Sequence, residues 1–412
     1  MNILFLFISY PEKLNASSLT KDLSDEFTSR GDGAYVVTIR EDRNNLPTEL
    51  SVENNTNVLR VKTRNMFGKI NKIEKFISMM TIHKSIAKEV VRIWPDVDFD
   101  IIVGTSPYMF QKSLIHPLKK YYNCKTFLIL WDMFPQNAKD LGFIKNKYLF
   151  KYLKYKERCN LELFDYIGCQ SIGNLKYMKE KYKFLDMDLL HIFPQWSVVN
   201  NEIIANKISI RNKYGFSQYD FLLVFGGNMG VPQNLTKIID VARKMQYQKN
   251  IKFIFIGNGT EREKLERKVR RDNTKNVIFI HKMDRREYQN LLSSCDVGII
   301  SLDPRFTFPN FPSKILDYLK YGVPILASLD SHALDDAGYL IEYKIQAGLA
   351  SDANHIEEFE ENLLNMYENS NICKEFSQNG KRYFRENFDV VDRYDDFNRI
   401  INGRYVEHKK NI

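Results

Sequence analysis

The first half of the chain alternates between short apolar runs and longer segments in which apolar residues recur every three or four positions. The runs predict buried β-strands, and the longer segments, such as Ser17–Ser29 and Lys69–Trp94, predict helices. The predicted strands are Asn2–Ser9, Ala34–Ile39, Val58–Val61, Phe99–Gly104, Lys125–Trp131, Asp165–Ser171 and Leu190–Phe193. Because these strands lack polar alternation and are joined by helices, they are typical of a parallel sheet covered on both faces.

The second half repeats this pattern after a break in periodicity around Pro194–Arg211. Its predicted strands are Phe221–Phe225, Ile251–Gly257, Val277–His281, Val297–Leu302 and Ile325–Ser328. No later strand is predicted, and Glu357–Glu368 and Ile372–Ile401 have a helical pattern. The fold class is therefore α/β, with two Rossmann-like, doubly wound parallel-sheet domains facing across a cleft. We expect a first domain at 1–195, a second at 196–375, and C-terminal helices at 376–412 that cross back to the first domain.

The segment Phe308–Ala327 predicts a loop, a helix and a buried strand in quick succession. Pro312 suits a first helical turn, and Gly322 fits the left-handed cap that ends a helix. Ser313 and Lys314 follow the proline with backbone N–H groups and one cation. A helix N-terminus with a lysine beside it favours binding of an anion, phosphate above all, although an ordinary strand–helix–strand connection remains the alternative.

Four loops of the second half lie where the predicted strands end. They are Gly226–Gly230, Gly257–Thr260, His281–Met283 and Asp303–Pro312. Open α/β sheets bind ligands at the carboxyl ends of their strands, so these loops are candidate binding segments. The first two are glycine-rich and precede helices, which lets the backbone approach a diphosphate closely. Neither is a Walker loop or a strict GxGxxG, and a single loop of this kind is more often a simple turn.

Composition narrows the class of protein. The 412 residues suffice for two domains, and 44% hydrophobic and 27% charged residues are typical of a soluble globular protein. Five scattered cysteines lack the spacing of a zinc site or a disulfide framework, so no metal is expected. No apolar run reaches the roughly 18 residues of a membrane span. Asn2–Ile8 is too short for a signal peptide, and we expect a cytoplasmic protein.

The net charge of +9 is concentrated in one stretch of the first half. From Lys112 to Arg158 there are eleven Lys and Arg residues against three acidic ones. Within it, aromatic residues alternate with a set of lysines: Lys145, Lys147, Lys151 and Lys154. Such a helix suits an anionic membrane surface, although a solvated helix face with lysine stems over apolar surface gives the same pattern.

Three motifs of the second half carry a family resemblance. FGGNMG, FIGNGTEREKLE and PSKILDYLKYGVPILA resemble the nucleotide-sugar-binding domain of glycosyltransferase family 4. The resemblance is close from Phe221 to about Asp336 and loose in the first half. It implies the two-domain GT-B fold and a retaining, metal-independent transfer. The PSK variant is most similar to bacterial enzymes that build capsule, O-antigen or other surface polysaccharides.

The resemblance also implies roles for single residues. Ser313 and Lys314 would hold the donor diphosphate, and Asp317 would bind the ribose hydroxyls. The remaining donor-side positions are Gly227 and Asn228 at the phosphates, Asn258 in the second glycine loop, Lys282 near the base, and Arg262, which is either a phosphate contact or an exposed helix arginine.

The sequence departs from the family pattern at the expected phosphate site. The first of two family glutamates falls on Pro309, and the usual arginine and lysine fall on Asn228 and Gln233. Lys314 would therefore carry more of the positive charge. The N-terminal glycine pair of the family is replaced by Asn15–Ser18.

The first domain is expected to supply the acceptor side. Asp132 follows an apolar strand at its carboxyl end, where a carboxylate can bind a sugar hydroxyl or support charge at the reacting carbon; a helix N-cap before Pro135 is the alternative. Thr105, Ser106 and Ser17 are further acceptor-side candidates, and for the first two a turn-forming role is favoured.

The prediction is a retaining glycosyltransferase that uses a nucleotide-sugar, UDP-sugar by preference. It needs no cofactor, acts on a glycan or lipid-linked glycan, and contacts the inner face of the cell membrane. Two alternatives remain, a GT-B relative that isomerises UDP-sugars and a non-enzymatic polyanion-binding protein. No nucleic-acid-binding module is recognisable, so nucleic acid is not an expected partner.

Overall fold

A computed structural model describes residues 1–12, 16–65, 72–106, 112–199 and 206–403 of the protein. The chain forms two compact units, which we call the first and second domains. The first contains Met1–Val198 and a segment that begins at Val390, and the second contains Val199–Asp389. The second domain therefore extends past residue 375, and the return to the first domain begins at Val390 rather than at 376.

The first domain is built on an eight-stranded sheet in the order β3-β4-β2-β1-β5-β6-β7-β8. Its strands are β1 (Asn2–Leu6), β2 (Gly33–Glu41), β3 (Glu49–Glu53), β4 (Thr56–Thr63), β5 (Ile101–Thr105), β6 (Lys125–Leu130), β7 (Tyr166–Cys169) and β8 (Leu190–Ile192). All neighbours pair in parallel except β3 and β4. Strand β3 was not predicted, because its sequence ELSVE is polar and it lies at the sheet edge.

Within the described ranges, six α-helices connect these strands. They are α1 (Leu19–Ser29), α2 (Lys72–Ile93), α3 (Lys112–Tyr122), α4 (Gln136–Asp140), α5 (Lys147–Leu161) and α6 (Ile172–Lys181). The part of the predicted helix before Lys72 lies outside the described residues, as does Asn15 of the N-terminal loop.

The second domain has a six-stranded, fully parallel sheet in the order β11-β10-β9-β12-β13-β14. Its strands are β9 (Phe221–Gly226), β10 (Ile251–Ile256), β11 (Val277–Ile280), β12 (Val297–Ser301), β13 (Ile325–Leu329) and β14 (Gly348–Asp352). Its helices are α7 (Lys207–Lys213), α8 (Leu235–Met245), α9 (Arg262–Arg271), α10 (Arg285–Ser294), α11 (Lys314–Tyr321), α12 (Ser331–Ala333), α13 (Ile356–Glu368) and α14 (Ser370–Asn387).

The prediction of two doubly wound parallel-sheet domains is confirmed. The prediction of no strand after β13 is wrong. Strand β14 has the sequence GLASD, whose small and polar residues give no apolar run, and only its pairing with β13 identifies it as a strand.

The segment predicted to be helical at Ile372–Ile401 consists of two helices. Helix α14 ends at Asn387, and α15 (Val390–Ile401) follows it as a separate helix of the first domain. Ring contacts hold α15 against α1, because the Phe27 ring lies 4.9 Å from Tyr394 and 5.1 Å from Phe397. Among the described helices, none is both long and apolar enough to cross a membrane.

Candidate functional site

The two glycine-rich loops of the second domain pack backbone against backbone at the carboxyl ends of β9 and β10. The Gly227 amide donates to the Ile256 carbonyl at 2.9 Å, and the Met229 amide donates to the Asn258 carbonyl at 2.8 Å. Gly227 and Gly257 have φ of 129° and 128°, backbone angles that residues other than glycine rarely adopt. A Cβ atom at Gly257 would lie 2.2 Å from the Gly227 carbonyl oxygen. Both loops therefore require glycine for their contact.

The side chain of Lys314 lies against the first of these loops. Its Nζ donates to Gln233 Oε1 at 2.9 Å and lies 4.7 Å from the centre of the Phe225 ring. A Cβ atom at Gly227 would lie 3.4 Å from Lys314 Cε. Removal from water lowers the pKa of Lys314 to about 8, and the negative charge of Asp317 opposes this shift. The structure thus brings a partly buried cation to a loop that presents backbone groups.

Helix α11 begins at Lys314. Ser313 is its N-cap residue, is exposed, and makes no side-chain capping bond. The amides of Ile315 and Leu316 already donate to the carbonyls of Pro312 and Ser313, at 3.1 and 3.2 Å. The start of the helix therefore offers the Ser313 hydroxyl to a ligand, and the helix dipole favours an anion there.

The side chain of Tyr318, in α11, lies against the adjacent strands β9 and β12. Its hydroxyl donates to the Ile299 carbonyl at 3.0 Å and lies 3.3 Å from the Val224 carbonyl. The residue is fully buried, and its ring leaves no space for a Cβ atom at Gly298. In an α/β sheet the junction of two strands that follow opposite winding directions is where ligands bind. Tyr318 therefore fixes α11 at this junction, a role that the sequence analysis missed because it depends on strand order.

Asp317 is engaged in an ion pair. Its Oδ1 accepts from the Arg285 guanidinium at 3.1 Å, and its side chain is half-buried. The carboxylate that the resemblance assigns to the ribose is thus oriented by the first residue of α10.

Arg262 does not have the environment expected from the sequence. The side chain is buried, although the sequence suggested either a phosphate contact or an exposed arginine. Its guanidinium donates to the carbonyls of Gly257 and Ile280 and to the Glu266 carboxylate. We therefore correct its assignment, because these bonds tie the ends of β10 and β11 together and direct the guanidinium at protein carbonyls.

The other predicted donor-side residues lie on the surface of the same edge. Asn228, Asn258 and Lys282 are exposed, each just beyond the carboxyl end of a different strand. Pro309, which replaces a family glutamate, is buried. In the same loop, Asp303 accepts two bonds from the Arg305 guanidinium, at 2.8 and 2.7 Å.

Ser106 positions the backbone that carries Asp132 in the first domain. Its Oγ accepts the amide N–H groups of Trp131 at 2.6 Å and of Asp132 at 2.7 Å. Ser106 and Thr105 are almost fully buried, so the structure supports their turn-forming role and not a contact with acceptor.

The side chain of Asp132 itself is exposed. The N-cap of α4 is Pro135, without a side-chain capping bond, so the capping alternative for Asp132 is not what the structure contains. Ser17 is exposed and donates to Asp22 Oδ2 at 2.8 Å.

The lysines of the predicted membrane helix divide into two groups. Lys145, Lys147 and Lys151 are exposed. Lys154 instead donates to the Tyr182 hydroxyl at 3.0 Å and forms an ion pair with the buried carboxylate of Glu157. Lys154 is therefore bound to protein groups, unlike the other three lysines. Among the residues described by the structure, no group of three or more His, Cys, Asp or Glu is placed to hold a metal ion.

Comparison with known proteins finds that the chain is similar to glycosyltransferases. Residues 206–383, most of the second domain, match the family described as glycosyl transferases group 1. The chain is 22% identical to the glycosyltransferase MJ1069 of Methanocaldococcus jannaschii, whose function is uncharacterized, over 74% of this chain and 75% of that protein.

Solved structures share the fold over nearly the whole chain. Sucrose-phosphate synthase of Thermosynechococcus elongatus has a TM-score of 0.77 at 12% identity, covering 98% of this chain and 100% of that one. HepE of Anabaena, solved with UDP-glucose, has a TM-score of 0.71 at 14% identity with the same coverage. WaaG, a glycosyltransferase involved in lipopolysaccharide biosynthesis, has a TM-score of 0.67 at 14% identity over 97% and 100%. The protein therefore has the two-domain α/β fold of GT-B glycosyltransferases.

Proposed function

We propose that the protein transfers a sugar from UDP-sugar to a growing, lipid-linked glycan in the synthesis of a bacterial surface polysaccharide. The observation that carries the proposal is the position of the Lys314 ammonium, between the loop at Gly227 and the N-terminus of α11. A diphosphate fits this place because the Ser313 hydroxyl, the helix dipole of α11 and the Lys314 cation lie together there. The match of residues 206–383 to group 1 glycosyl transferases supports the same assignment.

The choice of donor and acceptor has separate support. HepE was solved with UDP-glucose and WaaG is involved in lipopolysaccharide biosynthesis, which favours UDP as the nucleotide and a surface glycan as the product. We assign the acceptor side of the reaction to the first domain, where the carboxylate of Asp132 accepts a hydrogen bond from a sugar hydroxyl. The transfer is retaining, as the family resemblance implies. It needs no metal, because Lys314 and the helix N-terminus neutralise the leaving diphosphate.

The exposed basic face of α5 supports a membrane contact. Lys147 and Lys151 lie on this helix with Tyr148 and Tyr155, whose side chains are 71% and 61% exposed. Aromatic rings and ammonium groups on one helix suit the headgroup region of an anionic bilayer. We therefore place the protein in the cytoplasm, in peripheral contact with the inner face of the cell membrane.

Thermal-shift titration with UDP-, GDP- and TDP-sugars tests the donor site. A ligand at 100 times its dissociation constant adds about 2.7 kcal/mol to the free energy of unfolding. We expect UDP-sugars to raise the melting temperature, EDTA to leave this rise unchanged, and Lys314→Ala to remove most of it. Lys320→Ala, at the other end of α11, is the matched control. Indifference of the wild-type protein to every nucleotide would defeat the proposal, and UDP-sugar isomerisation without transfer would replace it with the epimerase alternative.

A further inference from the structure

A groove of about 850 Å³ opens in the first domain between α2, α3 and α5. This is within the size range of ligand-binding pockets. Ala87 and Val91 of α2 and Leu118 of α3 line it with apolar surface, and the ring of Tyr121 closes one side. The groove is formed by the helices that cover the sheet, and none of the donor- or acceptor-side residues discussed above lines it.

The edge of the groove is positively charged. Its basic lining residues are Lys84, Lys88, Lys112, His116 and Lys156, and no described lining residue is acidic. Within the described part of the chain, none of these four lysines forms an ion pair. The acidic residues next to them in the sequence have other partners, since Glu89 pairs with Arg92 and Glu157 pairs with Lys154. The groove therefore offers several uncompensated ammonium groups above an apolar floor.

A buried amide in the wall of the groove also lacks a partner. Asn160 is 1% exposed, and its Oδ1 accepts the Lys112 amide at 2.8 Å. Its Nδ2 has no hydrogen-bond acceptor among the described residues. Buried donors are nearly always paired in proteins, so an oxygen-bearing ligand is the expected partner for this group.

We propose that the groove binds one anionic phospholipid of the membrane. An acyl chain covers the apolar floor, the phosphate lies among the lysines, and an ester or phosphate oxygen accepts from Asn160 Nδ2. A free phosphate or sugar phosphate has no group for the apolar floor, whereas a neutral lipid has none for the lysines. This inference rests on the membrane contact proposed above and gives it a specific lipid site.

The groove is continuous with the surface assigned to the membrane. Helix α5 supplies Lys156, Cys159 and Asn160 to the groove and Tyr148 and Tyr155 to the exposed basic face. A lipid can therefore pass from the bilayer into the groove at α5, the helix that we propose contacts the membrane.

Cys159 reports occupancy of the groove directly. It lines the groove and is partly exposed, whereas Cys124, Cys169 and Cys295 are buried. In a Cys373→Ser protein, which lacks the other partly exposed thiol, the rate of maleimide labelling is measured with dihexanoyl phosphatidylglycerol below its micelle concentration. We expect saturating lipid to slow labelling at least tenfold, while dihexanoyl phosphatidylcholine and glycerol phosphate leave the rate within twofold. Equal rates in all conditions overturn the proposal, and protection by glycerol phosphate alone overturns the lipid assignment in favour of a phosphate site.

Charge reversal at the groove gives a second measurement. Lys84→Glu with Lys88→Glu changes two exposed groove residues, and Lys120→Glu with Lys125→Glu makes the same charge change at exposed positions outside it. Binding to vesicles with phosphatidylglycerol is expected to weaken at least tenfold for the groove pair and less than threefold for the control pair. The groove is overturned if the two pairs weaken vesicle binding equally. It is also overturned if polyglutamate binds as tightly as the vesicles and the lipid does not protect Cys159.

The UDP-glucose thermal shift is measured on each of these variants. In the groove pair, a retained shift with weakened lipid binding supports the groove and leaves the donor site intact. In the Cys373→Ser protein, a retained shift without lipid protection of Cys159 rejects only the groove. A missing shift in the wild-type protein with intact lipid protection rejects the donor site and leaves the groove.

Discussion

Lys314 donates a hydrogen bond to Gln233 at 2.9 Å, although the two residues lie 81 positions apart. Gln233 occupies the position where the resembled family has a lysine. A neutral amide there accepts from the Lys314 ammonium and orients it, whereas a second cation would repel it. The apparent loss of a phosphate-binding charge therefore has a structural counterpart, because the remaining cation is held against the loop at Gly227.

The first prediction concerns pH. Burial lowers the pKa of Lys314 to about 8, and the charged form is the one that binds a diphosphate. Donor binding must therefore raise this pKa and take up a proton. We expect UDP-glucose affinity, measured by calorimetry, to fall between pH 7 and 9, by up to tenfold per pH unit above the pKa. Lys314→Arg keeps its charge across this range and should show a flat profile; an equally steep profile would assign the titration to another group.

The same pKa shift has a stability consequence of opposite sign. The pKa of Lys314 is lower in the folded protein than in the unfolded chain, so the unfolded chain binds more protons between about pH 8 and 10.5. This residue therefore makes the free energy of unfolding rise with pH across that window in the absence of donor. Comparing wild type with Lys314→Met by denaturant titration isolates the contribution.

The second prediction concerns the glycine loops. Gly257→Ala places a Cβ atom 2.2 Å from the Gly227 carbonyl oxygen in a left-handed backbone conformation, so the two loops must separate. We expect a loss of more than about 3 kcal/mol in the free energy of unfolding. Gly215→Ala is the matched control, since it has φ of 75° but no atom within 4 Å, and should cost about 1 to 2 kcal/mol from backbone strain alone. Similar losses for both would mean that the contact between the loops is not tight.

The third prediction separates a structural from a binding role for Arg262. Replacing it by alanine leaves the Gly257 carbonyl without its donor, and the Ile280 carbonyl keeps only the Gly257 amide at 3.1 Å. The free energy of unfolding should fall by about 1 to 3 kcal/mol for each unsatisfied group. Arg267→Ala, on the exposed side of α9, should change it by less than about 0.5 kcal/mol. The shift caused by saturating UDP-glucose should persist; full stability without that shift would indicate a phosphate contact instead.

The fourth prediction concerns Asp132. Asp132→Asn keeps the shape of the side chain but removes its charge, and its backbone amide can still donate to Ser106. We expect sugar transfer to fall by about 10² to 10⁴ with UDP-glucose affinity unchanged. Radiolabelled transfer and donor calorimetry measure the two quantities, and full activity of the variant would remove Asp132 from the reaction.

The fifth prediction distinguishes the lysines of α5. Lys147→Glu with Lys151→Glu should reduce sedimentation with anionic vesicles and leave the melting temperature nearly unchanged, because both side chains are exposed. Lys154→Met should instead lower stability by about 3 kcal/mol or more, because it leaves the buried Glu157 without its cation. Vesicle sedimentation and thermal melts on the same samples check both; unchanged sedimentation of the double variant rejects the membrane surface.

Most of the fold could be predicted from short segments. The apolar runs at β1 and β9 identify buried parallel strands without any tertiary information, because a strand covered on both faces has no polar positions. Strand β14 and the division between α14 and α15 could not be predicted. Each depends on which domain the segment packs against, and small or amphipathic residues are compatible with either outcome.

The candidate site shows the same division at single residues. The position of Lys314 at the start of a helix follows from Pro312 and from the helical spacing after it. The burial of Arg262 cannot be predicted from its neighbours in sequence. The carbonyls that accept its hydrogen bonds belong to Gly257 and Ile280, at the ends of two different strands. An arginine in the first turn of a helix has the same local sequence whether it contacts solvent, a phosphate or the protein.

The sequence by itself determined two α/β domains, the glycine loops, the N-terminus of α11 and the surplus of positive charge in the first half. These properties depend on the spacing and solvation of residues that are close in the chain. The tertiary structure alone decided that Gln233 orients Lys314, that Ser106 supports Asp132, and that lysines from three helices surround one groove. These arrangements depend on residues that are distant in sequence, and packing of the sheets and helices is what brings them within contact distance.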